Sequence, residues 1–223
     1  MEEKKGLKID ELIKKYNIDL EKLSQEQLKL AKELEIKDKI DFSLADRFGA
    51  IDNTFIGNKL LSCIIVCNKD YEIIDRSYVV EKVKFPYIPG FRNYRELLPM
   101  ITAFEKLNEK PDVVFIPANG ISHPRIGLAS HFGLVVGVPT IGVSNSIIEC
   151  DVKDNILYRD KKKVGRVLLS KEGSNPMYIS PGNLISVESA YDLCNKMIKL
   201  PHKRPEPLHL AAKYAKEVRR EVV

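Results

Sequence analysis

Apolar positions fall into short blocks whose spacing changes along the chain. Residues 1–40 are mostly polar, with Leu20, Leu23, Leu28, Leu30 and Leu34 at helical spacing, which predicts a helical N-terminal extension. Ser24 followed by Gln27 has the form of a capping box. Three apolar runs follow at 48–55, 60–67 and 73–83, separated by Gly57-Asn58 and by Asn68-Lys69-Asp70. Turn chemistry of that kind between strand-like runs predicts three sequential antiparallel strands. Phe91, Tyr94, Leu98, Ile101 and Phe104 repeat at helical spacing and predict a helix over 91–106. Buried strands are expected at 112–116 and 140–143, with a helix near 125–136 between them. Runs at 164–170 and 176–179 read as strands, and 187–199 and 207–222 as helices. The order predicts an α/β domain over 41–223, a mixed sheet with helices on its faces, preceded by the extension over 1–40.

Composition narrows the class. With 44% hydrophobic and 30% charged residues, the chain can build a core and is not disordered. It has no run of 18 apolar residues and no apolar stretch of signal-peptide type near the N-terminus. Cys63 and Cys67 would stand roughly 13 Å apart on one strand, too far to share a metal. All four cysteines read as reduced thiols of a cytoplasmic protein. The formal charge of +5 and the basic groups at 161–163 and 203–220 suit a polyanionic partner. His131 reads as a packed helical histidine. His202 and His209 lie among lysines and read as surface residues rather than metal ligands.

Asp52 sits in a strand between apolar neighbours, and Glu96 on the first turns of the next helix. A carboxylate in a strand must be paired, metal-bound or at a wet end. Between them runs Phe85-Pro86-Tyr87-Ile88-Pro89-Gly90-Phe91. The two prolines stiffen it and hold Tyr87 and Ile88 out as a wedge able to part stacked bases. This segment, closed by Arg95-Glu96, resembles the signature of the endonuclease V family. So do Ile121-Ser122-His123-Pro124-Arg125, Gly127-Leu128-Ala129-Ser130-His131, Val138-Pro139-Thr140-Ile141-Gly142-Val143 and Pro205-Glu206-Pro207-Leu208-His209-Leu210-Ala211. The likeness runs from about residue 25 to about 215, with its blocks in the family's order.

The resemblance implies a ribonuclease H-like fold, recognition of inosine in DNA or RNA, and magnesium-dependent cleavage on its 3′ side. It makes Asp52 and Glu96 the catalytic metal carboxylates and Tyr87 the wedge. It places Gly120, Ile121 and His123 at the loop that accepts the flipped base, with Arg125 of the same loop and Ile88 of the spur as further nucleic-acid contacts. The sequence also departs from the family. Pro117 stands where a third carboxylate is expected, Ala118-Asn119 replaces a glycine–histidine pair, and Asn145 and Asn183 take the places of a lysine and a histidine. Asp112 is no substitute, roughly 17 Å away at strand rise. Proline offers no side-chain ligand, and the asparagines carry no charge. Magnesium should therefore bind weakly or not at all. Three readings stay open: a nuclease with a reduced metal site, a nucleic-acid binder that has lost cleavage but kept the Tyr87 wedge, and a structural or assembly role in which nucleic acid is irrelevant, against which the exposed rigid tyrosine argues.

Overall fold

The computed structural model describes residues 3–171 and 173–222. Three antiparallel strands, β1 (Phe48–Ile56), β2 (Lys59–Cys67) and β3 (Ile73–Lys82), form a meander. Gly57 closes the first turn at φ 56°, the left-handed geometry that two-residue hairpins need. A helix, α3 (Asn93–Glu105), leads to β4 (Val113–Ile116), which returns parallel to β1. A second helix, α4 (Leu128–Val136), leads to β5 (Thr140–Ser144), parallel to β4. The chain then meanders through β6 (Asp151–Lys153), β7 (Ile156–Arg159), β8 (Lys162–Leu168) and β9 (Met177–Asn183). It ends in α5 (Val187–Lys196) and α6 (Glu206–Val222). The nine strands make one mixed sheet in the order β3-β2-β1-β4-β5-β9-β8-β7-β6, the α/β class expected.

Each face of the sheet carries its own core. Ile51, Ile64 and Val66 pack with Met100 and Phe104 of α3 and Phe132 of α4. Ala50, Cys63 and Ile65 pack on the other face with Leu208, Ala211 and Val218 of α6. β2 is apolar at nearly every position because both its faces are covered. The cysteines are free, and burial pushes the Cys63 and Cys67 thiols up to about 12.

Several local expectations are corrected. The β6–β7 hairpin was not foreseen: β6 is wholly exposed, so it lacks the apolar signal, and its turn is marked only by Asp154 and Asn155 at positive φ. The basic group at 161–163, which reads in sequence as a turn, is divided: Lys161 lies in a turn and Lys162 and Lys163 begin β8. α4 starts at Leu128, which leaves Arg125 in a loop. β9 continues past Ile179 through Pro181, where the ladder to β5 shifts register; a proline is tolerated there because the bulge needs no donor.

At the N-terminus, α1 (Glu3–Tyr16) precedes α2 (Leu20–Ala31). The cap of α2 is Asp19, which accepts from the Lys22 amide at 2.9 Å, not Ser24. Gln27 instead points into the protein and is fully buried. The strap that follows is stitched to the end of β9: Glu35 N–H donates to Asn183 Oδ1 at 2.9 Å and Leu184 N–H to the Glu35 carbonyl at 2.7 Å. No helix among the described residues is long and apolar enough to cross a membrane.

Candidate functional site

The β1–β4 ladder stops at Ala50↔Phe115. β1 is followed by its neighbour on one side and β4 by its neighbour on the other, so the carboxyl ends of β1, β4 and β5 open on a topological switch point. Open α/β sheets place ligands in such crevices. A cavity of about 350 Å³ lies there, lined by Tyr87, Ile88, Pro117, His123, Asn145 and Arg204 among others.

Glu96 adjoins the cavity through Arg92, which lines it, and Asp52 stands on the opposite face of β1. Ala50 lies on the α6 face and Ile51 on the α3 face, so strand alternation sends Asp52 toward α6 and Asn53 toward α3. Asn53 accordingly donates to Glu96 Oε2 at 2.9 Å. Glu96 is buried because it shares the inward stripe of α3 with Asn93, Met100 and Ala103.

The cation on Glu96 is Arg92, one helical turn earlier. Its Nε donates to Oε1 at 2.6 Å and its Nη2 to Oε2 at 2.9 Å, while Nη1 donates to the Pro117 carbonyl at 3.2 Å. One planar guanidinium thus bridges Glu96 and the position of the expected third carboxylate, in the bidentate geometry that arginine favours. Arg95, beside Glu96 in sequence, is turned away: it donates to the Phe85 carbonyl at 2.9 Å and lies 4.4 Å from the Phe55 ring centroid. Burial raises the pKa of Asp52, opposed by Arg204, by a hydrogen bond from Thr54 and by Arg92.

A magnesium ion does not fit this donor set. Both Glu96 oxygens are engaged, Pro117 contributes only a carbonyl that already accepts from Arg92, and Asn145 is neutral. The Arg92 guanidinium already neutralises Glu96, and Arg204 and Arg92 act electrostatically on Asp52, so little net negative charge remains for a hard dication. Asp112 is tied to the opposite end of β4, accepting from the Asp46 and Arg47 amides.

The loop after β4 is built on backbone contacts. Ile121 N–H donates to the Pro181 carbonyl at 2.9 Å, and Ser122 N–H to Ser180 Oγ at 2.9 Å. Arg159 of β7 donates to the carbonyls of Ile121, at 2.7 Å, and of His123. His123 is buried against the cavity, and its Nδ1 accepts from the Arg125 amide at 3.2 Å. Burial, then Arg125 and Arg159, lowers its pKa from 6.5 to about 4. The ring is therefore neutral near pH 7. A depressed folded-state value means its contribution is complete above pH 6.5 and is lost as pH falls toward 4. The loss should reach the order of 3 kcal/mol. Urea unfolding from pH 7 to pH 4 should show that slope, flattened in His123→Asn, which keeps an acceptor near Nδ1. An unchanged slope would assign the titration to another group.

Tyr87 projects from the proline-bracketed segment with 63% of its surface exposed. Ile88, expected beside it on the tip, is instead buried, because successive residues of an extended segment point opposite ways. Arg125 faces inward: Nε donates to Gln27 Oε1 at 2.5 Å and Nη2 to the Gly90 carbonyl at 3.1 Å, over the Phe91 ring. It ties α2 to the base of the Tyr87 segment, a link invisible in sequence because 98 residues separate its ends. Asn183 is a buried anchor for the N-terminal strap, and His131 is packed against Asn93, 3.2 Å away. Sequence reasoning missed Arg92, Arg159 and Asn53, and took Arg204 only as part of the basic C-terminal group. Only Arg92 left a signal, its i,i+4 spacing to Glu96.

The sheet order, the two-sided helical cover and the crevice at the switch point define an α/β protein of ribonuclease H-like fold. An endonuclease V from Thermosipho melanesiensis is 36% identical to this chain, covering 94% of it and 93% of the relative. One from Archaeoglobus fulgidus is 32% identical, covering 92% and 96%. The profile of the endonuclease V family matches residues 28–213, and the chain belongs to that family. Solved endonuclease V structures share the fold. That from Bacillus subtilis has a TM-score of 0.84 at 24% identity, covering 92% of this chain and 94% of its own. The human catalytic domain has a TM-score of 0.83 at 23% identity, covering 91% and 96%.

Proposed function

We propose that this protein recognises inosine in nucleic acid, with Tyr87 parting the strand and the neighbouring cavity receiving the base, and that it binds without magnesium-dependent cleavage. The observation that carries the second half is the Arg92 guanidinium on Glu96 and the Pro117 carbonyl. An internal cation takes the charge a metal would need, and its partly exposed face can meet a phosphate instead. Recognition is supported by an exposed, rigidly mounted tyrosine beside a cavity of small-ligand size. An endonuclease V from Ciona intestinalis has been solved in complex with a 24-mer DNA containing an inosine followed by a ribo-adenosine.

The test compares inosine- and adenine-containing oligonucleotides, as DNA and as RNA, by gel shift and nicking assay with magnesium. The expected result is inosine-selective, salt-sensitive binding without nicking. Tyr87→Ala should weaken inosine binding about tenfold or more, from lost stacking of about 1–3 kcal/mol, with an unchanged Tm because the ring is exposed. Equal affinity for both bases would sink the recognition reading. Magnesium-dependent nicking abolished by Asp52→Ala would establish a working metal site instead.

A further inference from the structure

The turn before α6 and the first turn of that helix bring together His202, Glu206 and His209, and each offers a ligand atom within 4.8 Å of the others. We propose that these three side chains form a binding site for a first-row divalent cation of the zinc type, separate from the Arg92–Glu96 cluster.

Glu206 and His209 are three residues apart in α6 and so share one helix face. His202 reaches them from the preceding turn, its Nδ1 2.7 Å from Glu206 Oε2. The two imidazoles stack with centroids 3.5 Å apart and planes 16° from parallel. Glu206 is only 6% exposed, and a buried carboxylate is costly unless a cation or donors satisfy it. Its side-chain partner among the described residues is His202.

The donor set selects the ion. Two imidazole nitrogens and one carboxylate oxygen are the protein ligands of open tetrahedral zinc sites, whereas magnesium prefers oxygen alone. Ligand atoms around a zinc ion stand roughly 3.3 Å apart at bond lengths of about 2.0–2.1 Å. Rotation of the two rings would have to draw a set now spread over as much as 4.8 Å in to that spacing. The fourth position opens on a cleft of about 760 Å³ lined by both histidines, Lys203, Arg204 and Asn145. Arg204 and Asn145 also line the cavity beside Tyr87, so an ion here would border the crevice without entering it.

Chelator-stripped full-length protein should take up one zinc ion per chain in a calorimetric titration, with no comparable heat from magnesium. His209→Gln and Glu206→Gln should each weaken zinc binding about tenfold or more while leaving the Tm of the metal-free protein near that of wild type. Cobalt substitution supplies a measurement free of folding effects: visible d–d absorption without a thiolate-to-metal charge-transfer band supports the assignment. No zinc uptake by the wild type, uptake unchanged in both variants, or a thiolate band with binding lost in Cys150→Ser would each overturn it.

Discussion

Arg92→Leu should lower stability by about 2–3 kcal/mol, or about 5–10 °C in Tm, because Glu96 stays buried and loses the one cation paired with it among the described residues. Full removal of one partner from a buried pair costs more, but the Arg92 side chain is 40% exposed and part of the attraction is screened. Magnesium separates this reading from a simple packing loss. It should leave the wild-type Tm unchanged, because the guanidinium holds the position. In Arg92→Leu, millimolar magnesium should restore part of the lost Tm, since a ligand that binds only the folded state stabilises it by mass action. Adding Pro117→Asp should enlarge that recovery by supplying a third carboxylate at the crevice. With Asn145→Lys as well, inosine-directed nicking is the expected gain. A wild-type protein already stabilised by magnesium would show that the guanidinium does not replace the ion.

Gly120→Ala should cost about 3 kcal/mol, or about 6–12 °C in Tm. The reason is space rather than backbone conformation. A Cβ at residue 120 would lie 2.1 Å from the Pro181 carbonyl oxygen and 2.8 Å from that of Ser180. Both belong to β9, which is held between β5 and β8, so neither can swing aside as a side chain would. The loop must lift instead, breaking the Ile121 and Ser122 bonds to β9 and shifting His123 at the cavity. Inosine preference should fall with the Tm. Gly137→Ala is the contrast, because nothing lies within 4 Å of its Cβ position and only the positive φ of 68° opposes it; its cost should be about 1 kcal/mol. Equal effects at the two positions would refute the steric account.

The meander was legible because β2 is apolar at nearly every position and the Gly57 turn is local chemistry. The exposed β6–β7 hairpin was not, since its residues bury little and their pairing rewards no apolar pattern. Asp52 and Glu96 could be singled out because a carboxylate among apolar neighbours demands compensation. What compensates Glu96 could not be read. Arg92 and Arg95 both flank it on the helix, and the rotation of α3 on the sheet sends one inward and the other over Phe55. Gln27 looked like half of a helix cap, yet it is consumed by Gly90 and Arg125 from two distant loops.

By itself, the sequence determined the order and periodicity of the main elements, the exposure of Tyr87 and the absence of a charged side chain at Pro117, Asn145 and Asn183. These follow from local rules: side-chain period, turn residues and what each side chain can donate or accept. The tertiary structure alone decided that Arg92 bridges Glu96 and Pro117, that Arg159 clamps the loop holding His123, and that His202 and His209 meet at Glu206. Such pairings depend on how elements are rotated and stacked against one another, and that geometry is settled by the packing of both cores at once, not by any single segment.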